Sequence, residues 1–233
     1  MTEDLFRRDA YLRSCEAAVI GADERGIRLD RTVFYAAGGG QPGDTGVLRT
    51  SDGRSLRVAD TVYGADRREI LHVPAEPCAD LGTAVACEID WDRRYRLMRM
   101  HTCLHLLSVV LPYAVTGGQV GVEEGRLDFD IPDAGLDRDE ISERLNSLIA
   151  EDHPVRARWI SDEELAANPG LVKTMSVKPP MGTGRVRLIE IGDIDIQPCG
   201  GTHVARTGEI GRVAVTRIEK KGAKNRRVRV AFA

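Results

Sequence analysis

Two short spacings hold the reactive side chains of this sequence. His101 and His105 stand four residues apart in WDRRYRLMRMHTCLHLLSVVL, and Cys199 and His203 stand four apart in PCGGTHV. Four residues is close to one helical turn, so a helix through the first pair stacks both imidazoles on one face. Gly200 and Gly201, inside the second pair, permit a tight turn that aims a thiolate and an imidazole at one point. Three nitrogens and one sulfur are an ordinary zinc ligand set. Cys103, two residues beyond His101, points to the other side of the helix and does not join them. Either pair alone is weak, because a histidine in an apolar helix is more often a core residue bonded to a carbonyl. The conjunction is stronger: of five cysteines and five histidines in the chain, four residues make up the two pairs.

Two glycine-rich segments accompany them. Gly38-Gly39-Gly40-Gln41-Pro42-Gly43-Asp44 lets a backbone approach a ligand closely. Phosphate cradles lead into a helix, whereas this one leads into strand-like GVLRT with no Lys-Ser/Thr, which argues against a nucleotide P-loop. A flexible hairpin turn is the competing reading. In Thr116-Gly117-Gly118-Gln119-Val120-Gly121, read as a loop, Gln119 offers a donor and an acceptor to a substrate; simple solvation is the alternative. From Arg212 to Arg229 there are eight Lys/Arg and one acid, Glu219. Lys220, Lys221, Lys224, Arg226 and Arg227 are candidates to hold phosphates electrostatically, without sequence readout, or else form a solvated strand face. Asp193 and Asp195 are expected on a solvated strand surface.

The elements that must position these groups divide near residue 90. Before it, EAAVIG, IRLDRTVFY, GVLRT, SLRVADTVY, EILHV and TAVACEID alternate with turn signals, the pattern of a small barrel or sandwich. After it, a helix starts with Asp90 or Asp92 as N-cap and ends before Pro112. A second helix follows Asp137, with Glu140 in capping-box spacing and Ile141, Leu145, Leu148 and Ile149 as its apolar face. A short third one starts at Ser161, with Glu164 in the same spacing, and stops at Asn168-Pro169. RLDFDI, PVRARWI, RVRLIEIG, VAVTRIE and RRVRVAF read as strands. The expected fold is α+β: a β-barrel domain with the Gly-rich loop over 1–90, and an α+β domain over 91–233 with helices on a largely antiparallel sheet. The 233 residues, a net charge of −3 and 42% hydrophobic residues fit an ordinary globular protein. No apolar run approaches the roughly 18–20 residues of a membrane span, and MTEDLFRRDAYLRSC lacks the apolar core of a secretory signal. The odd, scattered cysteines read as reduced thiols in the cytoplasm.

The helix with HTCLHLL, then GGQVG followed by GRLDFDI, then RVRLIEIG and PCGGTHVARTGEIG, resembles the editing domain of alanyl-tRNA synthetase. The threonyl-tRNA synthetase editing domain shares the HxxxH and CxxxH theme, and FYAAGGGQPGDTG resembles the strand and Gly-rich loop preceding the alanyl editing domain. The resemblance covers nearly the whole chain in the same order. Nothing in the sequence looks like a class II aminoacylation domain, so the chain resembles a free-standing alanyl-tRNA editing protein of the AlaX type. That resemblance implies an ATP-independent trans-editing hydrolase that deacylates Ser-tRNA(Ala), in some members Gly-tRNA(Ala), and spares Ala-tRNA(Ala). It implies a zinc ion on His101, His105, Cys199 and His203. Gln119 is then expected to line the pocket, with Gly38, Gly39, Gly40 and Gln41 beside it. Ala37 stands where many members carry a threonine that reads the serine hydroxyl, which leaves Gln119 and Thr202 as candidate catalytic and recognition side chains. The implied partner is misacylated tRNA(Ala), with no membrane and no obligate protein partner. Two other readings stay open: a non-catalytic tRNA-binding module with a structural zinc, and a zinc hydrolase acting on a different ester.

Overall fold

The computed structural model describes every residue except 1, 66–67, 78–81, 132–134, 173–183 and 223. It has two compact units, Met1–Tyr95 and Arg96–Ala233. In the first, β1 (Glu3–Asp4), β2 (Ser14–Asp23), β3 (Gly26–Leu29), β4 (Arg31–Thr32), β5 (Gly46–Thr50), β6 (Ser55–Tyr63), β7 (Ile70–Pro74) and β8 (Ala84–Ile89) follow in order. Strands β2-β3-β7-β6-β5-β8 close into a barrel, and closure leaves no unpaired edge. Alternate residues such as Val85, Cys87 and Ile89 point inward, onto Ile27, Leu29, Leu48 and Val58. IRLDRTVFY does not run as one strand. Asp30 breaks it by accepting the Ala18 N–H at 2.7 Å, and Phe34, Tyr35 and Ala36 leave the ladder as buried residues.

The Gly-rich segment beyond them is a tight turn. Gly38 and Gln41 exchange backbone hydrogen bonds, each of 3.0 Å, and Gly39 (φ 58°) and Gly40 (φ 83°) between them are both left-handed. A two-residue turn with both φ positive requires glycine or asparagine. Asp44 fixes the far end. Its carboxylate accepts the Tyr35 N–H at 2.7 Å and the Arg94 Nε at 2.9 Å. Both charged side chains are essentially inaccessible to solvent.

His72 on β7 is the histidine of this unit, and it is buried. Its Nδ1–H donates to the Ile27 carbonyl at 3.0 Å, and its Nε2 lies 2.8 Å from the Thr32 hydroxyl. That hydroxyl oxygen also accepts the Phe34 N–H, which leaves its own proton for His72. Both ring nitrogens are thus satisfied in the neutral form. Burial pushes the imidazole from 6.5 down to about 4. Between these values the unfolded chain takes up a proton that the folded chain refuses, so stability is lost as pH falls through that window. The expected loss approaches about 3 kcal/mol by pH 4. Denaturant unfolding at pH 7 and pH 4.5 should show a shallower acid slope for His72→Gln than for the parent; equal slopes would contradict this assignment.

Helix α1 (Trp91–Val110) runs on into the second unit, and Asp90 caps it by accepting the Arg93 N–H. Then come β9 (Val115–Gln119), β10 (Glu124–Asp130), α2 (Arg138–Ala150), β11 (Val155–Ser161), α3 (Asp162–Ala167), β12 (Arg185–Ile191), β13 (Asp195–Pro198), β14 (Val213–Lys220) and β15 (Asn225–Phe232). One sheet has the order β14-β15-β10-β9 and a second β11-β12-β13. All pairings in both sheets are antiparallel. Asp137 caps α2 by accepting the N–H groups of Asp139 and Glu140, and Ser161 with Glu164 forms the capping box of α3. Ile141, Leu145 and Ile149 of α2 are buried. Of residues 116–121, expected as a loop, 116–119 instead belong to strand β9: Gly117 and Gly118 pair with Asp128 and Leu127. Glycines give a strand no side-chain alternation to read. No helix among the described residues is long and apolar enough to cross a membrane.

Candidate metal centre

Helix α1 presents His101 and His105 one turn apart, and the loop after β13 brings Cys199 and His203 to them. The four potential ligand atoms all lie within 4.8 Å of one another. Cys199 Sγ is 3.5 Å from His101 Nε2 and 3.2 Å from His203 Nε2. A tetrahedral ion with metal–nitrogen and metal–sulfur bonds of roughly 2.1 and 2.3 Å would separate such atoms by about 3.5 Å. Both sulfur contacts are near that spacing, and the tetrad can close around one four-coordinate ion once its wider pairs, up to 4.8 Å apart, draw in.

Outer partners aim two of the rings. His105 Nδ1–H donates to Asp195 Oδ2 at 3.3 Å, which leaves Nε2 for the ligand cluster. Gln197 Nε2 donates to the same carboxylate oxygen at 2.8 Å, and also lies 3.3 Å from the Ser108 hydroxyl. The Thr102 hydroxyl donates to the Met98 carbonyl and lies 3.1 Å from His203 Nδ1. With its proton spent on Met98, it accepts from His203 and again leaves Nε2 toward the cluster. Such partners fix tautomer and ring orientation at metal sites. Asp195 is thus no solvated strand residue: it is buried, while Asp193 is exposed. The Cys199 loop is held from below by Arg187, whose Nη1 donates to the Cys199 and Gly201 carbonyls at 3.0 and 2.9 Å.

The charges at Cys199 and His203 suit metal binding, whereas His105 must give up a proton to become a ligand. Burial opposes ionisation of Cys199, yet the adjacent His101 and His203 hold its thiol well below the ordinary range. His203 is pushed down to about 3 by burial, aided by His101. Burial also disfavours charge on His105, but Asp195 and Cys199 outweigh it and raise the ring to about 9. A thiolate is the form a metal takes. Cys103 stays in the core, where burial pushes its thiol up to about 12.

Thr202 is fully buried between Cys199 and His203. Gln119 ends β9, exposed, with Oε1 accepting from Arg126 Nε at 3.3 Å. Gly38, Gly39, Gly40 and Gln41 belong to the first unit, and Gln41 is buried. Lys220, Lys221 and Lys224 are exposed at the β14–β15 turn. Arg227 is clamped by both carboxylate oxygens of Asp128, and Arg226 is buried.

Sequence reasoning missed Asp195, Gln197, Thr102 and Arg187. The period of two in Asp195-Ile196-Gln197-Pro198-Cys199 was the available signal, since it puts the two polar residues on the same strand face as the cysteine.

Two family models match the chain. The second additional domain of threonyl and alanyl tRNA synthetases matches residues 186–229, and the class II (A) tRNA synthetases match residues 10–93. Over 98% of both chains, the sequence is 39% identical to the alanyl-tRNA editing protein AlaX-M of Methanosarcina acetivorans. It is 35% identical to the AlaX-M protein of Saccharolobus solfataricus, again over 98% of each. It is also 36% identical to the alanine–tRNA ligase of Pyrobaculum calidifontis, covering 94% of this chain but 25% of the ligase.

Proposed function

Because the chain belongs to the free-standing alanyl-tRNA editing proteins of the AlaX type, we propose that it hydrolyses the aminoacyl ester of tRNA(Ala) mischarged with serine, and in second place glycine, while sparing Ala-tRNA(Ala). The observation that carries this reading is the His101–His105–Cys199–His203 tetrad, its three imidazoles buried, in a chain that aligns over 98% of its length with an editing protein. The need for such an activity is physical. One methylene distinguishes amino acids by only about 1–3 kcal/mol in a pocket, and an added hydroxyl is also rejected poorly. Serine and glycine therefore leak through a site built for alanine, and a second, hydrolytic site corrects the error.

The donor set favours zinc. When bound, zinc would supply a Lewis acid beside the ester or its amino group. The chain's own residues do the rest. Asp195 and Thr102 hold His105 and His203 in the required tautomers. Gln119 and Thr202 are assigned the polar contacts to the aminoacyl group. A site whose polar groups expect a hydroxyl penalises alanine by leaving those groups unpaired. Release of free serine from Ser-tRNA(Ala) by the purified protein tests the reading. Tight tRNA binding without release would favour a non-catalytic module, and hydrolysis of small esters with tRNA untouched would favour a different hydrolase. The protein would act in the cytoplasm, on tRNA released by the synthetase.

Lys220, Lys221 and Lys224 are the proposed contacts to the tRNA backbone. Replacing all three with glutamine should make the dependence of log K on log salt concentration shallower by roughly 2–3. An unchanged slope would remove them from the interface.

A further inference from the structure

The sheet β11-β12-β13 has two distinct faces. On one, Ile160, Val186 and Leu188 pack with Leu165 of α3. On the other, Asp195 and Gln197 reach His105 and Ser108 of α1, so this face looks onto the candidate metal ligands of α1. Residues directly opposite one another across a sheet share a face. Trp159 is paired with Arg187, and on the other side of Arg187 the register that pairs Leu188 with Pro198 continues. The Cys199 N–H donates to the Arg187 carbonyl at 3.1 Å. Trp159, Arg187 and Cys199 therefore form one row across three strands, on the face that looks onto those ligands. Two strand spacings put the Trp159 backbone roughly 10 Å from that of Cys199, which suits the reach of a nucleoside from its esterified ribose to its base.

Trp159 is 39% exposed, a large share for an indole. The Arg185 guanidinium lies 4.6 Å from its ring centroid. Arg187, between Trp159 and the loop, is buried and bonded to the Cys199 and Gly201 carbonyls, so it braces the row. An exposed indole beside a cation, in line with a hydrolytic centre, has the composition of a base-stacking platform with a phosphate neighbour. We propose that Trp159 stacks the terminal adenine of the aminoacyl-tRNA and that Arg185 faces the phosphate before it. This rests on the editing reading and deepens it. The platform recognises the part of the substrate common to every aminoacyl-tRNA, and leaves discrimination of the amino acid to the residues around the tetrad.

The test uses the full-length protein carrying Trp91→Phe, which leaves Trp159 as the sole tryptophan of the two in the chain. The probes are two uncharged acceptor-stem minihelices, one ending in CCA and one whose last ribose lacks its base. The CCA minihelix should quench Trp159 fluorescence, and the abasic one should not. Trp159→Ala should weaken binding of the CCA minihelix roughly tenfold or more, change binding of the abasic one little, and leave the bound zinc unchanged. Trp159→Phe should recover most of the loss. In deacylation the same loss should appear in KM rather than kcat. If Trp159→Ala keeps the parent's preference for CCA over the abasic end, the platform is wrong, even where the parent releases serine normally. If the parent releases no serine, the editing reading fails independently of either minihelix.

Discussion

Replacing Cys199 with alanine should remove the metal and lower hydrolysis of Ser-tRNA(Ala) by roughly 10²–10³-fold, as loss of a principal electrostatic contributor does. The thiolate is the one anionic member of the tetrad, with His101 and His203 within 3.5 Å of the sulfur. Its removal leaves three imidazoles in a buried space with no charge to balance the ion. Cys103→Ala is the matched control. It deletes a thiol from α1, between His101 and His105, but one that lies in the core, where burial keeps it protonated, so bound metal and activity should persist. Metal content measured alongside the rate separates the competing accounts. A Cys199→Ala protein that stays folded, loses zinc and loses activity fits the proposed site. One that unfolds with loss of metal fits a structural zinc, and one that keeps both metal and rate removes Cys199 from the centre.

Arg94→Met should destabilise the protein by about 3–5 kcal/mol, because it strands the Asp44 carboxylate in the interior. Arg94 does more than pair with that carboxylate. Its Nη1 donates to the Ala10 carbonyl at 3.0 Å and its Nη2 to the Val33 carbonyl at 2.7 Å. Asp44 in turn holds the Tyr35 N–H and closes the segment that begins at Gly38. The acid in GQPGD is therefore a structural anchor for the glycine turn, and its effect on activity should follow its effect on stability. Denaturant unfolding of Arg94→Met, Asp44→Asn and the double variant checks this. The double variant should lose much less than the sum of the singles, since neither then leaves a charge alone. Additive losses, or an Arg94→Met protein within about 1 kcal/mol of the parent, would contradict the role assigned to the pair.

What the sequence disclosed was local. Asp137 and Ser161 announce their helices because a cap and its N–H groups lie within three residues. His101 and His105 were legible because helical spacing fixes their common face, and Cys199 and His203 because two glycines permit the turn between them. What it withheld was contact over long separations. Asp195 looks like a solvated strand residue until His105, ninety positions earlier, is seen beside it. Arg227 looks available to phosphate until register sets it opposite Asp128. Strand β9 was hidden by its glycines, whose pairing with β10 comes from backbone hydrogen bonds alone. Trp159 drew no notice because only the register of three strands connects it to Cys199.

The most direct test is single-turnover deacylation of Ser-, Gly- and Ala-tRNA(Ala) by the purified protein, with and without a zinc chelator. The expected result is rapid release of serine, slower release of glycine, and Ala-tRNA(Ala) left intact, with the first two lost on chelation and restored by zinc. Hydrolysis of Ala-tRNA(Ala) as fast as Ser-tRNA(Ala), or no release of either error by folded, zinc-loaded protein, would contradict the account.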